Sequence, residues 1–253
     1  MTRLLLLAAL ACAPWARAAA DAAPPEVGVD EHLGATLPLD VRFNDEDGKP
    51  VRLGRLIDKP TVLTLNYYRC AGICTPLLNG LVDSLNELKL EPGEDFQVIT
   101  VSFDERDLPE MARKKRENYL KQLRRPFPPA AWRFLTGKSP SIRLLTDAVG
   151  FKFKPYGMEF IHAGVIFIIS PQGLVTRYMY GTDFRPVDLQ TALGEARVGR
   201  TRPSVIRSLS FCYTYDPAGR RYIVSVTRLV GAFSVLMVLL TVFLAVFWDR
   251  KKT

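Results

Sequence analysis

Cysteine and histidine are both scarce in this 253-residue chain, with four of the first and two of the second. Four cysteines (Cys12, Cys70, Cys74 and Cys212) in a chain this long exclude a disulfide-built scaffold. No repeat of the solenoid kind is visible, and nothing suggests collagen or long disorder. An excess of negative charge is also lacking: the formal net charge is +8. A basic protein meets anionic lipid or an acidic partner, and the export signal read below makes nucleic acid an unexpected one. The basic run Arg113-Lys114-Lys115-Arg116 reads as a solvated helix face. What is present is ordinary globular composition, 48% apolar and 24% charged. The length allows one sizeable domain plus extra segments, and hardly two domains.

Two long apolar runs stand at the ends. Leu4 to Ala13 follows a single Arg3 and precedes Ala16-Arg17-Ala18-Ala19-Ala20, the pattern of a secretory signal peptide. Cleavage after Ala18 or Ala20 removes Cys12. A lipoprotein would instead keep Cys12 as its acylated residue, a pattern that Ala9-Leu10-Ala11 fits poorly. The second run, Leu229 to Trp248, holds no charged side chain. Twenty residues at ~1.5 Å each cover about 30 Å, the thickness of a bilayer core. Trp248 stands where an interfacial aromatic belongs, and Asp249-Arg250-Lys251-Lys252 favours the cytoplasmic side. The expected plan is a signal peptide (1–20), a flexible arm (21–36), one domain (37–200), a juxtamembrane segment (201–228), a transmembrane helix (229–248) and a cytoplasmic tail (249–253). The expected location is a bacterial inner membrane, crossed once, with the main domain in the periplasm.

Within the body, Phe43 to Val51 reads as strand, polar turn and strand. Thr61 to Tyr67 and Phe96 to Phe103 are continuous apolar, β-branched runs, as in buried strands. Between them Leu77, Leu78, Leu81, Val82, Leu85 and Leu88 recur at helical spacing. A charged helix follows from Pro109 to about Leu123, then a short strand at Trp132–Thr136 and a helix over Ser141–Val149. Ala163–Ile169 and Leu174–Tyr180 flank the turn Pro171-Gln172-Gly173, and a helix over Pro186–Ala196 closes the body. This is an α/β pattern, with parallel pairing first and an antiparallel hairpin later, as in the thioredoxin arrangement.

Cys70-Ala71-Gly72-Ile73-Cys74 lies between a buried strand and a helix. That places Cys70 just before the helix and Cys74 in its first turn, where amide N–H groups favour a thiolate. Pro76 is tolerated in a first turn. Three readings compete: a structural disulfide, a redox dithiol and a metal site. A bridge over so small a loop stabilises little, and the familiar redox motif has two intervening residues rather than three. His162 precedes the Ala163–Ile169 strand, and in a thioredoxin-like fold that loop faces the one before the first helix. Two thiolates and one imidazole suit Cu(I), whereas structural zinc takes four ligands. His32 lies in the arm and reads as an exposed surface residue. With Cys12 removed, Cys212 is an odd third cysteine.

The residues resemble the Sco/SenC family of copper chaperones. The resemblance is carried by Cys70-x-x-x-Cys74, Val101-Ser102-Phe103-Asp104 with Asp107, and Trp132-Arg133-Phe134-Leu135-Thr136-Gly137. It is completed by His162 ahead of Val165–Ser170 with Pro171-x-Gly173. It spans roughly Leu37 to Ala196. It implies a thioredoxin-like fold, one copper ion bound by Cys70, Cys74 and His162, and help in assembling the copper centre of cytochrome c oxidase. The implied partner is the oxidase's copper-centre subunit or another copper or thiol client. A metallochaperone is expected rather than an enzyme. The alternative is a periplasmic thiol–disulfide oxidoreductase using Cys70 and Cys74, and a peroxidase on the same fold has less to argue for it. The chain departs from the family pattern in three places. Thr75 separates Cys74 from Pro76, Ile161 stands where an Asp usually precedes the histidine, and the anchor lies at the C-terminus. The tail Phe211-Cys212-Tyr213-x-Tyr215-Asp216-Pro217 resembles one branch of the family. The Ile161 departure removes a candidate group for orienting His162.

Overall fold

The computed structural model describes residues 27–70, 72–204, 213–216 and 221–224, and part of 230–243. The expected signal peptide, Cys12, Cys212 and the C-terminal part of the expected transmembrane helix lie outside the described residues.

The strands are β1 (Gly28–Val29), β2 (Arg42–Asn44), β3 (Pro50–Arg52), β4 (Thr61–Asn66), β5 (Gln97–Ser102), β6 (Trp132–Leu135) and β7 (Phe151–Lys152). They continue as β8 (Lys154–Tyr156), β9 (Glu159–Ile161), β10 (Val165–Ile169), β11 (Val175–Tyr180), β12 (Tyr213–Asp216) and β13 (Arg221–Val224). The helices are α1 (Leu53–Leu56), α2 (Cys74–Glu87), α3 (Pro109–Leu120), α4 (Ser139–Ala148) and α5 (Pro186–Arg197). The central sheet has the order β11-β10-β4-β5-β6. Strands β4, β5 and β6 are parallel, while β10 runs antiparallel to both β4 and β11. This is the α/β, thioredoxin-like arrangement the sequence pattern predicts.

Every residue of β4 and β5 is buried, which explains their unbroken apolar runs. Alternate side chains serve different faces. Leu63, Leu65, Ile99, Val101 and Phe167 pack with Ile142 and Leu145 of α4 and Phe43 of the β2–β3 hairpin. Val62, Val98, Trp132, Ile166 and Ile168 pack with the apolar stripes of α2, α3 and α5. On α2 that stripe is Leu77, Leu78, Leu81, Val82 and Leu85, all buried. The helix sits close to the chain beyond β11: a Cβ built on Gly80 would stand 1.8 Å from the Thr182 carbonyl oxygen.

The arm is less loose than composition predicts. From Val27 onward it is strapped to the body. Strand β1 pairs with β7, Gly34 and Leu37 donate to the Val175 and Gly173 carbonyls, and Tyr180 hydrogen-bonds Glu31. The flexible-arm boundary of 21–36 is therefore corrected over 27–36, because backbone pairing satisfies groups that composition alone leaves unassigned. Beyond the body, β12 and β13 pair antiparallel. The described residues between 230 and 243 are helical and expose Val230, Phe233, Val235, Leu236 and Leu239. No helix among the described residues is long and apolar enough to cross a membrane.

Candidate metal centre

Strand β4 delivers the chain to the site at Asn66, and the turn that follows is pinned on both sides. The Cys70 N–H donates to the Tyr67 carbonyl at 3.2 Å. The Tyr68 N–H donates to Asp107 Oδ2 at 2.6 Å, and the Tyr68 hydroxyl to the Leu135 carbonyl at 2.7 Å. The Ser102 hydroxyl also donates to Asp107, at 2.7 Å. Burial pushes the Asp107 carboxyl above its usual value, even against the hydrogen bonds from Tyr68 and Ser102. Cys74 is the first residue of α2, within the first turn as the spacing predicts, and Ile73 is its cap.

His162 arrives from the opposite direction. In the antiparallel pairing of β10 with β4, Ile166 lies opposite Thr64. Continued backwards, that register brings the start of β10 beside the Tyr67 turn. Gly164 makes the close approach possible: a Cβ there would meet the Ile73 side chain at 2.8 Å, and Ile73 lies between the two cysteines. Cys70, Cys74 and His162 converge, with their ligand atoms all within 4.8 Å of one another. Their exposures are only 7%, 4% and 1%. His162 Nε2 stands 3.4 Å from Cys74 Sγ. Both cysteines are free thiols.

The ring of His162 is oriented by the backbone. Its Nδ1 lies 3.0 Å from the Ala163 carbonyl oxygen. With Nδ1–H donating there, the Nε2 lone pair faces the sulfur, which is the tautomer a soft metal needs. The departure at Ile161 therefore costs no orienting group, because the backbone supplies one. Aromatic rings complete the pocket, with the centroids of Phe103, Tyr67 and Phe151 at 5.1, 5.9 and 5.9 Å from the imidazole. Sequence patterns did not single out Tyr67 or the β8–β9 hairpin that leads into His162 as parts of the site. Its tip holds Gly157 at φ +61°, and a Gly between two short polar segments was the available signal.

The two thiols ionise in opposite directions. Cys70 is held far below the ordinary thiol value, first by the hydrogen bond from Cys74, with the Tyr67 hydroxyl adding and burial opposing. Cys74 is pushed well up, first by burial and then by its proximity to Cys70. The pair thus shares one negative charge, since two adjacent sulfurs resist ionising together. Burial also raises Tyr67, so its phenol stays a hydrogen-bond donor. The donor set is two soft sulfurs and one imidazole, enclosed and largely shielded from water. That set fits a soft, low-coordinate monovalent ion better than zinc or magnesium. His32 is not part of it. Its side chain is 41% exposed, with Nε2 3.8 Å from Asp30 and Nδ1 3.3 Å from the Ala148 carbonyl.

Residues 33–193 match the SCO1/SenC family. The chain belongs to that family. It is 30% identical over 151 residues to the SCO1 protein homolog of Bacillus subtilis, covering 58% of this chain and 75% of the relative. Among solved structures, a putative electron transfer protein from Aquifex aeolicus is 30% identical with a TM-score of 0.60, over 66% of this chain and 95% of that one. BsSco, described as a member of the Sco family of cytochrome c oxidase assembly proteins with a disulfide switch, is 25% identical with a TM-score of 0.50. That match covers 66% of this chain and 96% of BsSco. Arabidopsis thaliana ScoI, crystallised with copper bound, shares the fold at 22% identity and a TM-score of 0.51, over 65% of this chain and 97% of its own. The SCO1/SenC match takes in all three ligand candidates, Cys70, Cys74 and His162, in one stretch of the chain.

Proposed function

We propose that this chain is a copper-handling assembly factor for the copper centre of cytochrome c oxidase, holding one Cu(I) through Cys70, Cys74 and His162. The observation that carries the reading is the buried convergence of those three ligand atoms within 4.8 Å. Family membership supports it, as does the copper found in Arabidopsis thaliana ScoI. Copper is cargo in this reading. The chain's own part is to keep one sulfur ionised, to aim the imidazole and to exclude water until a client's ligands displace it. The proposed setting is the periplasmic face of a bacterial inner membrane, with a signal peptide at 1–20 and an anchor at 229–248. The apolar residues exposed between 230 and 243 support the anchor. Anaerobic Cu(I) titration tests the reading. One equivalent per chain is expected, with affinity lost in Cys70→Ser, Cys74→Ser and His162→Ala. Parent-like binding by His162→Ala would rule out the three-ligand centre.

A second reading has its own support in the divided ionisation of the thiols. The Cys70 thiolate can attack a client disulfide to give a mixed disulfide and release one client thiolate. Cys74, once deprotonated, then resolves it, so the client gains two electrons and the chain keeps a Cys70–Cys74 disulfide. BsSco's disulfide switch is in keeping with this. Disulfide-exchange activity that survives in His162→Ala distinguishes it from copper handling.

A further inference from the structure

The centre exists only while two separate segments stay in register. One is the turn after β4, which carries the cysteines. The other is the β8–β9 hairpin, whose last residue, Ile161, precedes His162. Aromatic packing of Tyr67 against Phe160, at 5.2 Å between centroids, brings the segments together, and the Phe160 N–H points at the Tyr67 hydroxyl at 3.5 Å. Such packing has little directional force. A directional tie is built beside it on Asp104, in the loop after β5, whose side chain is 2% exposed.

Asp104 grips an arginine from each side. Its Oδ2 lies 3.1 Å from Nη2 of Arg69, the residue just before Cys70. Arg106 closes on the same carboxylate in two-pronged fashion, Nε to Oδ1 at 2.8 Å and Nη2 to Oδ2 at 2.9 Å. Arg106 Nη2 also donates to the Met158 carbonyl at the hairpin tip, at 3.2 Å, and the guanidinium stands 5.4 Å from the Phe160 ring centre. Asp107 reinforces the first grip, with Oδ1 3.3 Å from Arg69 Nε. We infer that Asp104 is a positioning residue for the centre, tying the His162 hairpin to the Cys70 turn through Arg106 and Arg69. An exposed ion pair would hold nothing firmly. A buried carboxylate with two-pronged contacts does, and its removal leaves Arg106 without that carboxylate and Arg69 held by Asp107 alone.

The metal arm of the test rests on the copper reading, and the exchange arm does not. Cu(I) affinity is measured for the parent, Asp104→Ala, His162→Ala and the double variant. Asp104→Ala is expected to weaken binding about tenfold, as loss of a supporting group does, and to add almost nothing on top of His162→Ala. Additive losses overturn the inference. In the metal-free protein, amide hydrogen exchange over 154–161 is expected to speed up in Asp104→Ala while β4 and β5 keep parent protection. Unchanged hairpin exchange, or equal acceleration everywhere, overturns the tie. Arg106→Gln, at a side chain 40% exposed, gives the same readout should Asp104→Ala fail to fold. A parent that binds no copper sinks the copper reading and leaves the exchange experiment to decide the tie.

Discussion

Cys70 and Cys74 share neighbours and burial, yet one thiol is driven toward the thiolate and the other away from it. An ordinary thiol is only about one part in three hundred ionised at pH 6. Cys70, with its value lowered, stays ionised there, and the charge is lost only as pH falls much further. We therefore expect the thiolate absorbance of the reduced, metal-free protein to persist at pH 6. It should vanish in Cys70→Ser and weaken in Cys74→Ser, which removes the principal donor to Cys70. A titration near the ordinary thiol value contradicts this. The three proposed ligands could be picked out in the sequence because Cys-x-x-x-Cys between strand and helix, and a His at a strand start, are local patterns. Their supports were not. Ala163's carbonyl does the work expected of an acid at position 161, and no side-chain pattern announces a backbone acceptor. Tyr67, Arg69 and Arg106 act through contacts across dozens of residues, to Phe160, Asp104 and Met158.

At the scale of elements, the strands and helices follow the hydrophobic period, so most were read from sequence within a few residues. Two junctions were not. Glu46 reads as part of a polar surface turn between β2 and β3, but its side chain is 1% exposed. It accepts the Phe134 N–H at 2.7 Å and pairs with Arg133 and Arg116, stitching the turn to β6. Glu46→Ala leaves those arginines beside an empty space and should lower unfolding stability by about 3–5 kcal/mol. Chemical denaturation measures it, and a loss below ~1 kcal/mol would show the network to be ornamental. Gly80 makes the opposite point. By helix propensity alone, Gly→Ala within α2 should stabilise by about 1 kcal/mol. The Thr182 carbonyl occupies the space a Cβ needs. Gly80→Ala is accordingly expected to destabilise by about 1–3 kcal/mol, and a gain in melting temperature would contradict that packing.

For the whole molecule, the body and the ends rest on different kinds of sign. The α/β body was legible because buried parallel strands leave long apolar runs and the later hairpin leaves a turn signal. The arm was misread from position 27 because backbone pairing has no compositional mark. The proposed anchor rests on apolar length and flanking charge. It predicts that the full chain stays with membranes after alkaline extraction, while a chain ending at Ser204 is released. Release of the full chain would contradict the anchor without touching the metal centre.

The proposed centre is a single copper ion held by two sulfurs and one imidazole. X-ray absorption at the copper edge of the Cu(I)-loaded full chain tests it most directly. Two sulfur scatterers and one nitrogen scatterer per copper are expected, with the nitrogen lost in His162→Ala. A first shell of sulfur alone, unchanged in that variant, would contradict it.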